Sequence, residues 1–360
     1  MKTPSITIAA GTVAYPPTST MAHPETADAV TVPIADFEGA PRLAVAAAHA
    51  ALKNAGIPTE HVVSNAHAWV NYQGHDLWSP QHYIAHQLGA VHSRSSGVYD
   101  ICNGGASAVE LAAMTLLAAA DGKPGDSAVT TTADIFAKPS FDRFTSDAGI
   151  WYGDAGSALV LTNTGGYERS GPRLLSAFST SIPIVESMHR LPGDFYAFPA
   201  GSDRQVDVRQ TKGAFLAQGG GAAFVTAMGG ALRAVVQGAL RDAGVSTHDP
   251  RVAHLFLPRI DQATIRKVYL PPLAGVSAAT YKALPRTGYG HLGAGDTPVN
   301  LIEFASSGAY AAGDIALFVC AGAGFTVSCL CVEMPDLAHA ASTFTTLENV
   351  SFPMTTKVSK

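Results

Sequence analysis

A cysteine at position 102 lies between a short β-branched stretch and a long run of small apolar residues. The stretch 97–101 predicts the end of a strand, and the apolar spacing over 104–120 predicts a buried helix. Cys102 therefore falls on the turn, where the free N–H groups and the dipole of the helix favour a thiolate. A buried core cysteine is the alternative, because free cysteine is among the most buried residue types. The following Gly104 and Gly105 favour a nucleophile with room for a bulky acyl group.

The composition limits the classes of protein to which the chain can belong. Its 360 residues are enough for two domains, or one large double unit, with a substantial core. Charged residues make up 14% of the chain and the net charge is −5. No basic block alternates with aromatic residues, which argues against nucleic-acid binding. The low charged fraction, with many alanines and glycines, indicates extensive burial and favours a homodimer.

The remaining cysteines and the histidines give no sign of a disulfide framework or a metal centre. Cys320, Cys329 and Cys331 lie in apolar, strand-like runs without CxxC spacing, and we predict that they pack in the core. The 13 histidines show no metal-ligand spacing and no phosphate-binding loop is present, so we expect neither a metal nor a cofactor. The N-terminus lacks the apolar core of a signal peptide, and no apolar run is long enough to span a bilayer. We therefore expect a cytoplasmic protein that does not bind membranes.

Strands and helices alternate along the chain in two similar series. Each series ends on two consecutive strands, which predicts two related α/β halves, residues 1–168 and 169–360, stacked face to face. The Pro-rich stretch 16–35 predicts an irregular segment, and 213–243 predicts one long helix. A connection over 182–211 contains His189, and connections of this length are usually functional. We expect it to form a lid or an acceptor pocket, with His189 as a candidate contact and a surface position as the alternative.

Five segments resemble motifs of the thiolase superfamily, and within it of β-ketoacyl-acyl-carrier-protein synthase III. They are, in chain order, Leu43 to Ile57, Pro80 to Gly89, Asp100-Ile101-Cys102-Asn103-Gly104-Gly105, Tyr152-Gly153-Asp154-Ala155-Gly156-Ser157-Ala158 and Gly322-Ala323-Gly324-Phe325-Thr326. The resemblance covers nearly the whole chain and implies a thiolase fold, with two similar halves stacked as a five-layer αβαβα sandwich. It also implies that Cys102 is the nucleophile and that the backbone N–H groups of Cys102 and Ala323 form an oxyanion hole.

Two further segments depart from the family pattern. Condensing enzymes of the family use a His after a proline, and an Asn in a Tyr-Gly-Asn segment, to stabilise the carbonyl oxygen of a decarboxylating malonyl group. Arg259 stands at the His position and His291 stands at the Asn position. A cysteine with one histidine and one carboxylate suits simple acyl transfer, because the histidine takes a proton from the attacking group and the acid holds the imidazole in the right tautomer.

This second pattern resembles the synthase III-like acyltransferases of antibiotic biosynthesis, which implies a triad of Cys102, His291 and Asp296. Asp261 is the rival carboxylate for His291 and also a candidate acceptor contact. Each of the two acids precedes a predicted helix, so helix capping is an alternative role for both.

The resemblance leads to three hypotheses about function. The first is transfer of an acyl group from a carrier-protein or coenzyme A thioester, through a Cys102 acyl-enzyme, to a hydroxyl or amine of a natural product such as a sugar or aminocyclitol, without decarboxylation. Water as the acceptor would make the protein a hydrolase. The second is a condensing enzyme that forms a carbon–carbon bond and uses His291 in place of the lost histidine. The third is a non-catalytic partner subunit, against which the presence of Cys102 and His291 argues.

Overall fold

A mixed β-sheet of eleven strands runs through the molecule. The computed structural model describes residues 1–23, 29–36, 39–119, 125–163, 171–193, 195, 205–336 and 342–352. In chain order the strands are β1 Lys2–Ala14, β2 Thr18–Ala22, β3 Ala29–Pro33, β4 Val62–Ala68, β5 Arg94–Val98, β6 Ser127–Asp134, β7 Ala155–Asn163, β8 Arg173–Ser181, β9 Val252–Phe256, β10 Thr280–Tyr281, β11 Ile315–Gly322, β12 Thr326–Glu333 and β13 Phe344–Leu347. The helices are α1 Ala40–Ala55, α2 Pro80–Leu88, α3 Gly104–Ala118, α4 Val208–Ala217, α5 Gly220–Ala243, α6 Gln262–Thr264, α7 Leu270–Leu273 and α8 Asp296–Ser307.

The sheet contains two runs of five strands with the same order. The first run is β5-β4-β6-β7-β1, and the second, read from its own outer edge, is β10-β9-β11-β12-β8. Counted along the chain within each half, both runs read third, second, fourth, fifth, first. They meet where β1 pairs antiparallel with β8, for example at Ile6 and Leu174. The repeat agrees with two related halves, but the predicted boundary at 168/169 lies outside the described residues and stays a prediction.

Helices cover and separate the two runs, which gives five layers. α1 packs on β1, β6 and β7 of the first run, and α5 packs on β8, β11 and β12 of the second. α3 and α8 contact each other between the runs, α3 against β4, β6 and β12, and α8 against β1, β7 and β11. This inner position explains the small apolar residues of α3, such as Ala108, Val109 and Ala112, which are fully buried. The fold is the expected thiolase sandwich.

Two helical stretches differ from the expectation that no run is long enough to span a bilayer. Ile101–Ala118 and Gly220–Ala243 are long and apolar enough to do so by length and composition alone. Half of each stretch is buried inside the fold, the first in the inner layer and the second against the strands of the second run. Packing within the sandwich therefore accounts for their apolar character.

Two other local expectations were wrong. The described residues of the stretch 16–35 are mostly regular, because β2 and β3 pair antiparallel, with Thr20 opposite Thr31. Their β-branched residues favour strands, and this outweighs the prolines at the ends. The predicted helix over 213–243 is two helices, because Gly219 adopts a φ of 83° and so ends α4 before α5 begins.

Candidate active site

Cys102 lies on a sharp turn between β5 and α3. The strand ends earlier than predicted, and a 3-10 turn over Ile101–Asn103 leads directly into the helix. Ile101 has a φ of 48°, a left-handed conformation that costs a β-branched residue about 1–3 kcal/mol. The surrounding structure must therefore hold the turn. Gly322 of β11 contributes by close packing, since a Cβ there would lie 2.3 Å from the carbonyl oxygen of Asp100.

Side-chain hydrogen bonds add to this support. The hydroxyl of Ser107 in α3 donates to Oδ2 of Asp100 at 2.6 Å, and Nδ2 of Asn103 donates to the same oxygen at 3.0 Å. Asn103 also donates to Oγ of Ser328 in β12 at 2.8 Å. The turn is thus tied to α3 and to the second run of the sheet, which fixes the direction of the neighbouring Cys102 side chain.

Cys102, His291 and Asp296 form one continuous chain of contacts. Nε2 of His291 lies 2.9 Å from Sγ of Cys102, and Nδ1 of His291 lies 2.6 Å from Oδ2 of Asp296. His291 is 2% exposed and Asp296 is fully buried, whereas Cys102 is half-buried. The structure therefore brings together the three residues of the predicted triad, with the sulfur at the more exposed end.

The carboxylate in contact with His291 is that of Asp296. It belongs to the first residue of α8, where the helix dipole favours a negative charge. Oδ1 accepts a hydrogen bond from the main chain of Leu292 at 2.8 Å, and Oδ2 accepts one from the main chain of Arg259 at 2.7 Å. The rival carboxylate of Asp261 instead accepts from the main chain of Thr264 and caps α6.

Main-chain contacts from the first half of the chain hold His291 in place. Its N–H donates to the carbonyl of Trp151 at 2.8 Å, and its carbonyl accepts from Gly153 at 3.0 Å. The ring of Tyr152 packs edge-on against the imidazole, with 5.2 Å between centroids. These contacts fix both the main chain and the ring plane, so that each imidazole nitrogen points at its partner.

Burial and charge act in opposite directions on His291 and Asp296. Burial lowers the pKa of His291, but the Asp296 carboxylate and Cys102 outweigh it and raise the pKa well above 6.5. Burial raises the pKa of Asp296, but His291 and then Arg259 outweigh it and lower the pKa below 3.8. At neutral pH the resting pair is an imidazolium that donates to a carboxylate. Nε2 of the same ring faces Sγ of Cys102, so a proton can pass between the two groups.

Arg259, at the position of the family's histidine, does not direct its side chain at Cys102. The residue is 2% exposed, and its guanidinium binds Glu303 at 2.7 Å and Asn300 at 2.9 Å, both on α8. The single imidazole shown in contact with Sγ comes from the other segment, at His291.

The predicted oxyanion turn lies against the nucleophile turn. Ala323 is in the connection between β11 and β12, directly after the Gly322 that packs on the turn of Cys102. Sγ of Cys320, two residues before Gly322 in β11, lies 3.2 Å from the carbonyl oxygen of Cys102 and donates to it. These contacts bring Ala323 near Cys102; the role of the two N–H groups stays a prediction. Cys320, Cys329 and Cys331 are buried, as expected.

A polar cluster extends from the triad towards the connection that carries His189. The hydroxyl of Tyr152 donates to Asp147 at 3.2 Å, and Nζ of Lys212 in α4 binds the same carboxylate at 2.6 Å. His189 ends a 3-10 helix and packs its ring on Phe325, 5.1 Å between centroids. Burial, together with Lys212, lowers the pKa of His189 to about 4, so this imidazole is neutral at pH 7.

Sequence reasoning missed several residues that support the site. Asp134, at the end of β6, accepts main-chain hydrogen bonds from Val70, Asn71 and Ala294, and so ties the segment of His291 to the first half. Its burial raises its pKa to about 7 against these bonds. An acid at the end of a buried strand was the available signal for Asp134. Tyr152 opens one of the five family-like segments, but nothing local in the sequence indicates that its ring contacts His291.

The described residues contain no group of three His, Cys, Asp or Glu side chains arranged to hold a metal ion. The groups in contact at the site are the sulfur of Cys102, the imidazole of His291 and the carboxylate of Asp296. That the protein needs neither a metal nor a cofactor remains a prediction.

Comparison with known proteins shows the same fold in known enzymes. No protein-family model matches the chain. The acetoacetyl CoA synthase NphT7 of Streptomyces sp. (strain CL190) is 28% identical over 315 residues, which are 83% of this chain and 85% of NphT7. The structure of ChlB3, described as an acyltransferase, superposes with a TM-score of 0.81 and 28% identity over 94% of this chain and 100% of ChlB3.

A third similarity, at lower sequence identity, concerns the fold. The 3-oxoacyl-(acyl-carrier-protein) synthase III of Aquifex aeolicus VF5 superposes with a TM-score of 0.68 and 17% identity, over 91% of this chain and 99% of that one. All three similarities extend over most of both proteins. The chain has the thiolase fold and is an enzyme similar to those of the β-ketoacyl-acyl-carrier-protein synthase III-like type, whose members NphT7 and ChlB3 are named as a synthase and an acyltransferase.

Proposed function

We propose that the protein is an acyltransferase that carries an acyl group on Cys102 and passes it to a hydroxyl or amine without decarboxylation. The observation that carries this proposal is the contact chain from Sγ of Cys102 through His291 to Asp296. Such a chain provides a nucleophile, a group that gives and takes one proton, and an anion that orients that group.

In the first half-reaction the thiolate of Cys102 attacks the carbonyl carbon of a donor thioester. The new carbon–sulfur bond forms, the bond to the donor sulfur breaks, and the leaving thiolate takes the proton from Nε2 of His291. The N–H groups of Cys102 and Ala323 are proposed to stabilise the oxyanion. Because the negative sulfur that helps to keep His291 protonated is then lost, the histidine is left neutral and ready to act as a base.

In the second half-reaction the acceptor hydroxyl or amine attacks the acyl carbon. His291 takes its proton on Nε2, while Asp296 stabilises the imidazolium that forms. The carbon–sulfur bond to Cys102 breaks, and the thiolate–imidazolium pair returns. The cycle balances in protons without any group beyond these three residues and the two substrates.

The two departures from the condensing pattern support transfer over condensation. The guanidinium of Arg259 binds Glu303 and Asn300. It is therefore not available to donate a hydrogen bond to the carbonyl oxygen of the thioester, as the family's histidine does. His291 stands where the condensing enzymes have an uncharged amide. Condensation is the second candidate function, because NphT7, which is 28% identical, is named as an acetoacetyl CoA synthase.

The polar cluster beside the triad supports a polar acceptor. Lys212, Asp147 and His189 provide a cation, an anion and a neutral imidazole close to Tyr152, which contacts His291. Such a set suits a natural product with several hydroxyl or amino groups, such as a sugar or aminocyclitol. Asp261 is bound within its own helix cap, so it is the weaker of the two candidate contacts.

The donor and the assembly are proposed by likeness to the family. An acyl carrier protein or coenzyme A would deliver the thioester, within antibiotic or polyketide biosynthesis in the cytoplasm. A homodimer is supported by β5, the outer strand of its run, which pairs only with β4 among the described strands and so would offer its other edge to a second copy. We propose no role for nucleic acid, membrane, metal or cofactor.

Intact-protein mass after mixing with a panel of acyl thioesters tests the proposal. We expect an acyl adduct on the wild type and none on Cys102→Ala. His291→Ala should accumulate the adduct but pass it to an acceptor about 10²–10⁴-fold more slowly, because it lacks the general base. The mass added identifies the acyl group.

Cys329→Ala is the matched control, since it removes a thiol that is fully buried in β12; it should form the adduct like the wild type. An adduct on Cys102→Ala, or none on the wild type with any donor, contradicts the proposal. A carbon–carbon product with release of carbon dioxide, when a malonyl thioester is supplied, would establish condensation instead.

A further inference from the structure

The fully enclosed guanidinium of Arg259 lies along one face of α8. Asp296, Asn300 and Glu303 follow one another at i, i+4 and i+7, which places them on one face of the helix. The main chain of Arg259 binds the first, its Nε binds the second at 2.9 Å, and its Nη2 binds the third at 2.7 Å. Arg259 is therefore bound to α8 at three positions, each about one helical turn from the next. These contacts fix both its main chain and its side chain along the helix.

Further groups close the guanidinium in. Nη1 donates to the carbonyl of Arg286 at 3.0 Å and lies 3.5 Å from the hydroxyl of Tyr15. Tyr15 is fully buried and donates to the other oxygen of Glu303 at 2.7 Å. The charge of Arg259 is therefore paired, and its orientation is set by residues from three separate parts of the chain.

We propose that Arg259 is a positioning residue for the triad. Its guanidinium, fixed on α8, holds the main-chain N–H of the same residue on Oδ2 of Asp296, the oxygen that also binds His291. Its positive charge favours the ionised form of that carboxylate. The two departures from the family pattern are then linked. His291 supplies the base, and Arg259 holds the carboxylate that orients it.

The other charged or titratable groups near the triad do not replace Arg259. Asp296 interacts with His291 and Arg259, and His291 interacts with Asp296 and Cys102. The remaining neighbours that interact with members of the triad are Asp134, Tyr152, Tyr99, Tyr269 and Cys320. Apart from His291 itself, none of these described residues is a cation at neutral pH, so Arg259 is a permanent positive charge that acts on Asp296.

The test measures alkylation of Cys102 by iodoacetamide against pH. The rate depends on the thiolate, which the imidazolium of His291 favours and which Asp296 supports in turn. The double variant Arg259→Met, Glu303→Gln removes both charges of the buried pair, so that neither is left alone. We expect the acid limb of its profile to move to higher pH by about one unit, because a less ionised and less fixed Asp296 stabilises the imidazolium less.

Two single variants separate position from charge. Glu303→Gln leaves Arg259 bound by Asn300 and the Arg286 carbonyl and should keep the wild-type profile. Arg259→Lys keeps the charge but cannot bind Asn300 and Glu303 together in a fork, so the acid limb should stay while acyl transfer slows several-fold.

The proposal is overturned if either Arg259 variant folds and shows both the alkylation profile and the acyl-transfer rate of the wild type. The transfer readout rests on the proposed function, but the alkylation readout does not. If the wild type forms no acyl adduct and the double variant still shifts the acid limb, the proposed function fails and the positioning role stands.

Discussion

In each half of the molecule, the connection between the third strand and the inner helix lies at the active site. The two connections supply different groups. In the first half the connection from β5 to α3 covers residues 99–103 and carries Cys102. In the second half the connection from β10 to α8 covers residues 282–295 and carries His291, and Asp296 opens the helix. The positive ends of two inner helices thus meet at the site, which favours the thiolate and the carboxylate.

The two connections are held in different ways. The short one is fixed by backbone geometry, with Ile101 in a left-handed conformation and Gly322 packed against it. The long one is fixed by groups of the other half, the carboxylate of Asp134 and the main chain around Tyr152. A nucleophile on a strained turn has little freedom to move, whereas the long connection accepts a different residue without a change of fold. Under the proposed function, the reaction type would change at His291 while the nucleophile turn is kept.

The largest loss of acyl transfer is expected from a substitution of Asp296, which directly follows the second connection. Asp296→Asn removes the anion that holds the imidazolium of His291 and presents an amide to Nδ1, which favours the wrong tautomer. We expect transfer from the acyl-enzyme to slow by about 10²–10⁴-fold, with the acyl-enzyme still formed. Single-turnover decay of the adduct, followed by intact mass, measures this.

Asp261→Asn is the control for this substitution, since its carboxylate caps α6 at Thr264 and does not contact His291. It should transfer within a few-fold of the wild type. An equal loss in the two variants would show that the assignment of the orienting carboxylate is wrong.

A second substitution, at Gly105, disturbs the packing between α3 and the second connection. A Cβ at Gly105, in the first turn of α3, would lie 2.3 Å from the carbonyl oxygen of Ala294. The backbone there cannot yield without moving the segment of His291. Gly105→Ala should therefore lower the free energy of unfolding by about 1–3 kcal/mol and slow transfer as well.

Gly230→Ala is the matched helical glycine, because no atom lies within 4 Å of its added Cβ. In α5 it should instead stabilise the protein by about 0.5–1 kcal/mol through helix propensity. Urea unfolding of the two variants measures both effects. Equal stability would mean that the two connections are less tightly packed than the structure shows.

Local patterns in the sequence were enough to predict the turn that carries the nucleophile. The turn at Cys102 follows from a strand, two glycines and an apolar helix, and the resemblance then indicated His291 and Asp296 by position. The choice between Asp296 and Asp261 needed the structure, because both begin a helix and only the packing of α8 decides which one reaches the imidazole.

Long-range contacts account for what the sequence did not predict. Tyr152 acts on His291 across 139 residues, and the guanidinium of Arg259 binds Glu303, 44 residues away. No spacing rule connects such positions. The antiparallel pair of β2 and β3 was missed for a local reason, since its prolines outweighed its β-branched residues in the prediction.

The smallest expected effect concerns the ion pair that joins the halves beside the triad. Lys212, 24% exposed, binds the nearly buried Asp147, which also accepts from Tyr152. Lys212→Met should raise the KM for the acceptor by less than about fivefold, since partly exposed pairs contribute at most about 1 kcal/mol. The kcat should change little, because Tyr152 keeps Asp147 as its partner and His291 keeps its ring contact. Lys53→Met, on the exposed end of α1, controls for loss of surface charge. A fall in kcat without a change in KM would place Lys212 in support of the base rather than at the acceptor.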